Sequence, residues 1–231
     1  MKAALPENET ERLEALREYR ILDTGAEQAY DDITTLAAYL CEVPIALISL
    51  VDESRQWFKS KLGLNRQETP RDVAFCAHAI LQSEPLIVRD ALKDTRFADS
   101  ALVTRAPNIR FYAGFPLASP EGYTLGTLCA IDRKPRRISA EQKTAMQALA
   151  RQVMALLELR RVSTRMADAL EKVKMLHGLL PICAWCKRIR DDHGYWSQVE
   201  TYIHQHTGAD FTHGICPECL EKQKPKRAET E

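Results

Sequence analysis

The chain has 231 residues, and its 32 basic residues balance its 32 acidic ones, so no net field draws it to nucleic acid or to an anionic membrane surface. That length accommodates one ordinary domain with a smaller appendage. The longest apolar run, residues 43–51, is too short to span a bilayer, and residues 1–10 lack the apolar core of a signal peptide, so a cytoplasmic protein is expected.

Asn8 with Glu11 predicts a capped short helix carrying Leu13, Leu16 and Ile21, which Asp23-Thr24-Gly25 ends. Tyr30, Ile33, Leu36, Ala37 and Leu40 recur at helical spacing in a second helix, terminated at Val43-Pro44. Residues 45–51 are a compact β-branched run, 52–54 a turn, and 56–60 the returning strand of a hairpin. Thr69-Pro70-Arg71-Asp72 leads into a helix over 73–82, and Leu86-Ile87-Val88 is a short strand beyond Pro85. Residues 90–108 are charged, rich in turn formers and aperiodic, the marks of a long functional loop. Residues 110–118 and 124–131 form a second pair of strands around Pro120-Glu121-Gly122. Helices thus flank a largely antiparallel sheet, an α+β arrangement.

A single long helix is expected over 139–177. Ser139 and Gln142 have capping-box spacing, and Gly178 and Pro181 mark the end. Met146, Leu149, Val153, Leu156, Leu159, Val162, Met166, Leu170, Val173 and Leu176 recur in steps of three and four. The two successive steps of three from Leu156 lose a residue of heptad phase. This seam predicts a parallel helix pair in a homodimer, with Arg160, Arg161, Arg165 and Lys172 beside it and Glu158 and Glu171 as pairing charges. The alternative is a first half packed on its own domain and a solvated second half.

Seven cysteines in a reducing compartment each need a reading as core, nucleophile or metal ligand. Cys183, Cys186, Cys216 and Cys219 form two C-x-x-C pairs, and four thiolates at such spacing suit one structural Zn²⁺, with iron in the same cage and a reversible disulfide pair as the rivals. The appendage has few large apolar residues, and a segment that small needs a staple. Trp196, Val199, Tyr202 and Ile203 between the pairs predict a short helix. Neither pair precedes a His, and no βαβ pattern surrounds them, which disfavours covalent haem and a thioredoxin. The expected domains are 1–138, a connecting helix 139–178, a small four-cysteine zinc-binding domain 179–223 and a disordered tail 224–231, where glutamates dilute the basic run.

Arg20-Ile21-Leu22-Asp23-Thr24, residues 44–52, Arg55-Gln56-Trp57-Phe58-Lys59, Phe75-Cys76-Ala77-His78-Ala79-Ile80, Arg110-Phe111-Tyr112-Ala113-Gly114 and residues 125–132 together resemble a GAF domain of bacterial sensor proteins. The resemblance covers residues 8–132. It implies a GAF/PAS-like antiparallel sheet with helices on one face and, on the other, a pocket roofed by the 90–108 loop. Phe75, Cys76, Phe97, Arg110, Phe111 and Tyr112 are the candidate ligand-binding residues, since aromatic walls with one fixed cation suit a small planar or anionic molecule. The CxxC tail is similar to tails of other bacterial sensor proteins.

No stretch after Asp132 resembles a kinase phosphoacceptor helix, an ATP-binding domain or a cyclase signature. The expectation is therefore a non-enzymatic sensor or adaptor that binds an unidentified small molecule and relays it to a signalling partner. Two alternatives remain. Some GAF proteins reduce free methionine sulfoxide with paired cysteines, and Cys76 with Cys129 is the pairing available here. A structural adaptor whose pocket is filled with side chains is the other.

Overall fold

The computed structural model describes residues 2–177, 180–191 and 193–223, leaving aside the side chains of 171–177, 206–207 and 223. The predicted helix end at Gly178, the tail 224–231 and the side chains of Glu171, Lys172, Val173 and Leu176 lie outside the described residues. The chain divides into two compact units, Met1–Ala167 and Asp168–Glu231.

In the first unit, helices α1 (Glu9–Glu18) and α2 (Gln28–Cys41) precede the hairpin of β1 (Ile45–Val51) and β2 (Arg55–Leu62). Then follow β3 (Glu68–Pro70), α3 (Phe75–Ala79), β4 (Leu86–Val88), α4 (Ala101–Thr104), the hairpin of β5 (Phe111–Ala118) and β6 (Thr124–Asp132), and the long helix α5 (Ala140–His177). The strands form one six-stranded sheet in the order β3-β2-β1-β6-β5-β4, and every neighbouring pair is antiparallel. The two hairpins are joined at the centre by β1 and β6, with Ala46 opposite Ala130 and Ile48 opposite Leu128. A central strand covered on both faces has no polar side, which is why Ile45–Val51 is an unbroken run of buried residues.

Side chains alternate between the two faces of each strand. Ala46, Ile48, Leu50, Phe111, Ala113 and Phe115 turn toward α1, α2 and the first half of α5, forming one core. Leu47, Phe58, Tyr112, Cys129 and Ile131 turn the other way, toward α3 and the 90–108 loop, forming the second.

Two local expectations are revised. Asn8 starts α1 through its backbone carbonyl, which accepts from the Arg12 N–H at 2.9 Å, and makes no side-chain cap. The helix expected over 73–82 is only Phe75–Ala79, preceded by a 3-10 turn at Arg71–Val73. Beyond it Leu81 and Gln82 bond back only three residues, to His78 and Ala79, so the chain tightens before Pro85.

The capping box of α5 forms: Ser139 Oγ accepts from the Gln142 N–H at 3.1 Å, and Gln142 Oε1 accepts from the Ser139 N–H at 3.0 Å. Met146, Ala150, Val153 and Leu157 then bury themselves against the helical face of the sheet. Val153, expected at a seam between chains, is a core residue of its own unit. Three of the charges expected beside that seam are also used at home. The Arg161 guanidinium pairs with Glu121 at 2.8 Å and Glu158 at 2.9 Å and lies over the Tyr19 ring, Arg160 pairs with Glu27 at 3.1 Å, and Arg165 pairs with Glu18 at 2.6 Å. Farther along, Leu159, Val162, Met166 and Leu170 stand exposed.

The second unit contains β7 (Ile189–Arg190) paired with β8 (Trp196–Ser197), then α6 (Val199–Thr207) and α7 (Pro217–Gln223). Trp196 belongs to β8, whereas Val199, Tyr202 and Ile203 belong to the helix expected there. No helix among the described residues is long and apolar enough to cross a membrane.

A candidate ligand pocket beside a buried dithiol

On the face of the sheet opposite α1 and α2 lies a cavity of about 310 Å³. Leu47 and Phe58 from the central strands, Phe75 and Cys76 from α3, and Leu102 and Ile109 from the loop supply its walls, with Tyr112 and Ile131 beside them. Its polar groups are Gln56, Asn65, Arg66, Thr69 and Arg133. One wall depends on a glycine. Gly63 has φ +78, and a Cβ there would meet the Pro44 carbonyl oxygen at 2.1 Å, so only glycine can turn the chain from β2 into the Leu64-Asn65-Arg66 wall.

The six residues expected to bind ligand are distributed as follows. Phe75, Cys76 and Tyr112 line the cavity. Phe97 sits one layer behind, stacked on Phe75 with centroids 4.1 Å apart, and the His78 ring meets Phe97 edge-on. Phe111 adjoins Tyr112 in β5 and therefore points to the opposite face, into the core under the helices. Arg110 is held in a two-pronged pair with Asp90, at 2.8 and 3.0 Å, and fastens the loop to the start of β5 without lining the cavity. Its guanidinium keeps the Asp90 carboxyl below the usual carboxylate range. The cations that do line the cavity are Arg66 and Arg133, and sequence reasoning missed both. Arg133 directly follows β6, and its Nε donates to the Pro107 carbonyl at 3.2 Å, tying the loop to the sheet.

Beneath the cavity is a cluster of buried thiols and hydroxyls. The Cys76 and Cys129 sulfurs are 3.4 Å apart. Three hydroxyls donate to Cys76 Sγ: Ser49 at 3.1 Å, Thr127 at 3.0 Å and Tyr112 at 3.2 Å. Thr127 Oγ1 also lies 2.9 Å from Cys129 Sγ. Ser49, Thr127 and Cys129 reach one face because they lie on adjacent central strands, Ser49 opposite Thr127. Gly114 leaves room for Tyr112, since a Cβ there would meet the Tyr112 hydroxyl oxygen at 2.1 Å.

Burial opposes ionisation of all three acids, but not with equal success. At Cys76 the penalty of burial is outweighed by hydrogen bonds from Cys129, Ser49, Thr127 and Tyr112, so its thiol lies below the ordinary range. Burial, and then the neighbouring Cys76, pushes Cys129 well up. Tyr112 is raised too, first by burial. The cluster therefore favours one thiolate, on Cys76.

In the second unit the C-x-x-C pairs are shaped turns. The Cys186 N–H donates to Cys183 Sγ at 3.4 Å, and Lys187, with φ 62, returns its N–H to the Cys183 carbonyl at 3.0 Å. Cys216 precedes α7, where the Leu220 N–H reaches its carbonyl at 3.0 Å, and Cys219 lies on the first turn. Backbone N–H groups of Cys186 and Trp185 lower the Cys183 thiol, and that of Cys219 lowers Cys216. The donors suit a thiolate-binding metal. Among the described residues, however, no three or more His, Cys, Asp or Glu side chains are gathered into a metal-holding group.

Comparison with known proteins gives three findings. The model of the GAF domain family matches residues 25–157. A curated protein of Pseudomonas aeruginosa named as a cyclic di-GMP phosphodiesterase is 46% identical over 151 residues, which is 65% of this chain and 26% of that protein. The chain thus spans about a quarter of the length of that relative. Among solved structures, the GAF domain of an Acinetobacter phosphoenolpyruvate-protein phosphotransferase superposes with a TM-score of 0.50 at 16% identity, covering 67% of this chain and 98% of that one. The curated relative corrects one expectation. A non-enzymatic module was expected because the sequence carries no recognisable effector signature, yet this relative bears the name of an enzyme.

Proposed function

Because the chain belongs to the GAF domain family, we propose that its Met1–Ala167 unit is a small-molecule sensor serving cyclic di-GMP turnover. The observation that carries this reading is the cavity of about 310 Å³ beside Cys76 and Tyr112. Its apolar walls and few polar groups are the composition of a ligand site. Arg66 and Arg133 favour an anionic or carbonyl edge on the ligand. A cyclic dinucleotide, with two bases, two sugars and two phosphates, exceeds that space, so we assign it to the output and a smaller molecule to the cavity.

The relay in this proposal is α5. Its first half is packed on the sheet through Met146, Val153 and Leu157, and its exposed stripe of Leu159, Val162, Met166 and Leu170 supports pairing with a second copy. The two C-x-x-C turns are proposed to hold one structural Zn²⁺ through Cys183, Cys186, Cys216 and Cys219, forming a module that meets a signalling partner.

The test is to produce the full chain together with a cyclic di-GMP phosphodiesterase in a bacterial host and to quantify cyclic di-GMP by mass spectrometry against the same host without the chain. The expected result is a fall of about 2-fold or more, abolished by Ile109→Trp, which fills the cavity from its loop side. An unchanged pool would overturn the cyclic di-GMP assignment. A fall that Ile109→Trp leaves intact would overturn control by the cavity.

A further inference from the structure

The floor of the cavity carries chemistry that recognition of a ligand does not require. Cys76 on α3 and Cys129 on β6 bring their sulfurs to 3.4 Å, although the residues are far apart in sequence. A disulfide needs about 2.05 Å, so the sulfurs have only about 1.4 Å to close. Cys76 lines the cavity, whereas Cys129 stands behind it. Three hydroxyls, from Ser49, Thr127 and Tyr112, point at Cys76 Sγ and stabilise a thiolate there.

We propose that Cys76 and Cys129 are a peroxide-reactive dithiol, with Cys76 the attacking thiol and Cys129 the resolving one. In the first step the Cys76 sulfur attacks one oxygen of a hydroperoxide that has entered the cavity. The S–O bond forms, the O–O bond breaks, and the departing oxygen takes the proton that Cys76 gave up, leaving as water or an alcohol. In the second step the Cys129 sulfur attacks the Cys76 sulfenic sulfur. The S–S bond forms, the S–O bond breaks, and the leaving hydroxide takes the Cys129 proton to become water. Two thiols and one peroxide thus give one disulfide, one water and one water or alcohol; the peroxide is reduced and the sulfurs are oxidised by two electrons.

The ordinary fate of a buried cysteine is inertness. Cys76 escapes it because a peroxide is small enough for the cavity and because its hydrogen-bond partners, Cys129 first and then the three hydroxyls, together outweigh the cost of burial. Cys41 is the internal comparison: it is buried in the other core, and burial pushes its thiol up to about 11. Closing the bond draws α3 toward β6 and reshapes the cavity floor. The inference does not depend on the cyclic di-GMP reading.

The test treats the full chain with hydrogen peroxide, alkylates the remaining thiols under denaturing conditions, and maps peptides without reduction. The expected product joins the Cys76 and Cys129 peptides, is two hydrogens lighter than the pair, and is released by dithiothreitol. Cys76 should be consumed about 10-fold faster than Cys41. In Cys129→Ala a dimedone adduct should accumulate on Cys76, trapping the sulfenic acid that lacks its resolving thiol. The wild-type map decides alone if that variant fails to fold. Cys76 recovered fully alkylated after Cys41 has reacted would overturn the proposal, as would Cys76 joined to any cysteine other than Cys129.

Discussion

Replacing Val153 with Asp is expected to unfold the Met1–Ala167 unit, not to separate two copies of the chain. Val153 is 0% exposed and lies in the core formed by α5, α1, α2 and the sheet. A carboxylate placed among those apolar side chains loses its water and gains no compensating partner from them. The cost should be about 4 kcal/mol, a large share of what holds a domain of this size. Met166→Asp makes the contrasting substitution at a position 64% exposed. It should change unfolding stability by less than about 0.5 kcal/mol while weakening any pairing of the exposed stripe. Urea titration followed through Trp57, which is buried in the first unit, reads the first effect. Sedimentation velocity of Met166→Asp reads the second. A stable Val153→Asp monomer would return that residue to a seam between chains.

Loss of metal should have the largest effect on the second unit. If Cys183, Cys186, Cys216 and Cys219 share one Zn²⁺, the ion supplies folding free energy on the order of 10 kcal/mol, and Cys186→Ser or Cys216→Ser should release it. The expected protease pattern is cleavage throughout residues 168–231 with Met1–Ala167 intact, and chelation should reproduce it. The shape of each pair supports this: Cys183 already accepts a backbone N–H, and Cys216 and Cys219 straddle the start of α7. Protein purified without chelator that holds less than about half an equivalent of metal, yet resists protease in that segment, would defeat the zinc assignment.

The sheet was legible because its rules are local. An unbroken apolar run at residues 45–51 announced a strand covered on both sides, and turn residues at 52–54 and 120–122 fixed the hairpins. Ser139 and Gln142 announced the start of α5 for the same reason, since a cap is decided within four residues.

The site was only half legible, because its geometry depends on strand parity and distant pairing. Phe111 and Tyr112 are neighbours of similar chemistry, yet only one can face the cavity, and the register with β6 decides which. Arg110 has the charge expected of a ligand anchor, but Asp90 claims it. Arg66 and Arg133 reach the cavity from loops whose course no periodicity reveals. The seam of α5 was ambiguous for a different reason. A stripe in steps of three and four reads alike whether it packs on its own sheet or on another helix, and only the buried Met146, Ala150, Val153 and Leu157 distinguish the halves.

The central claim is that the cavity holds a small molecule, and native mass spectrometry of the gently purified full chain tests it most directly. The account predicts an added mass of one molecule below about 500 Da, either retained from the host or gained from a metabolite screen, and its loss in Ile109→Trp. Wild-type protein that carries no added mass and takes none up from the screen would contradict it.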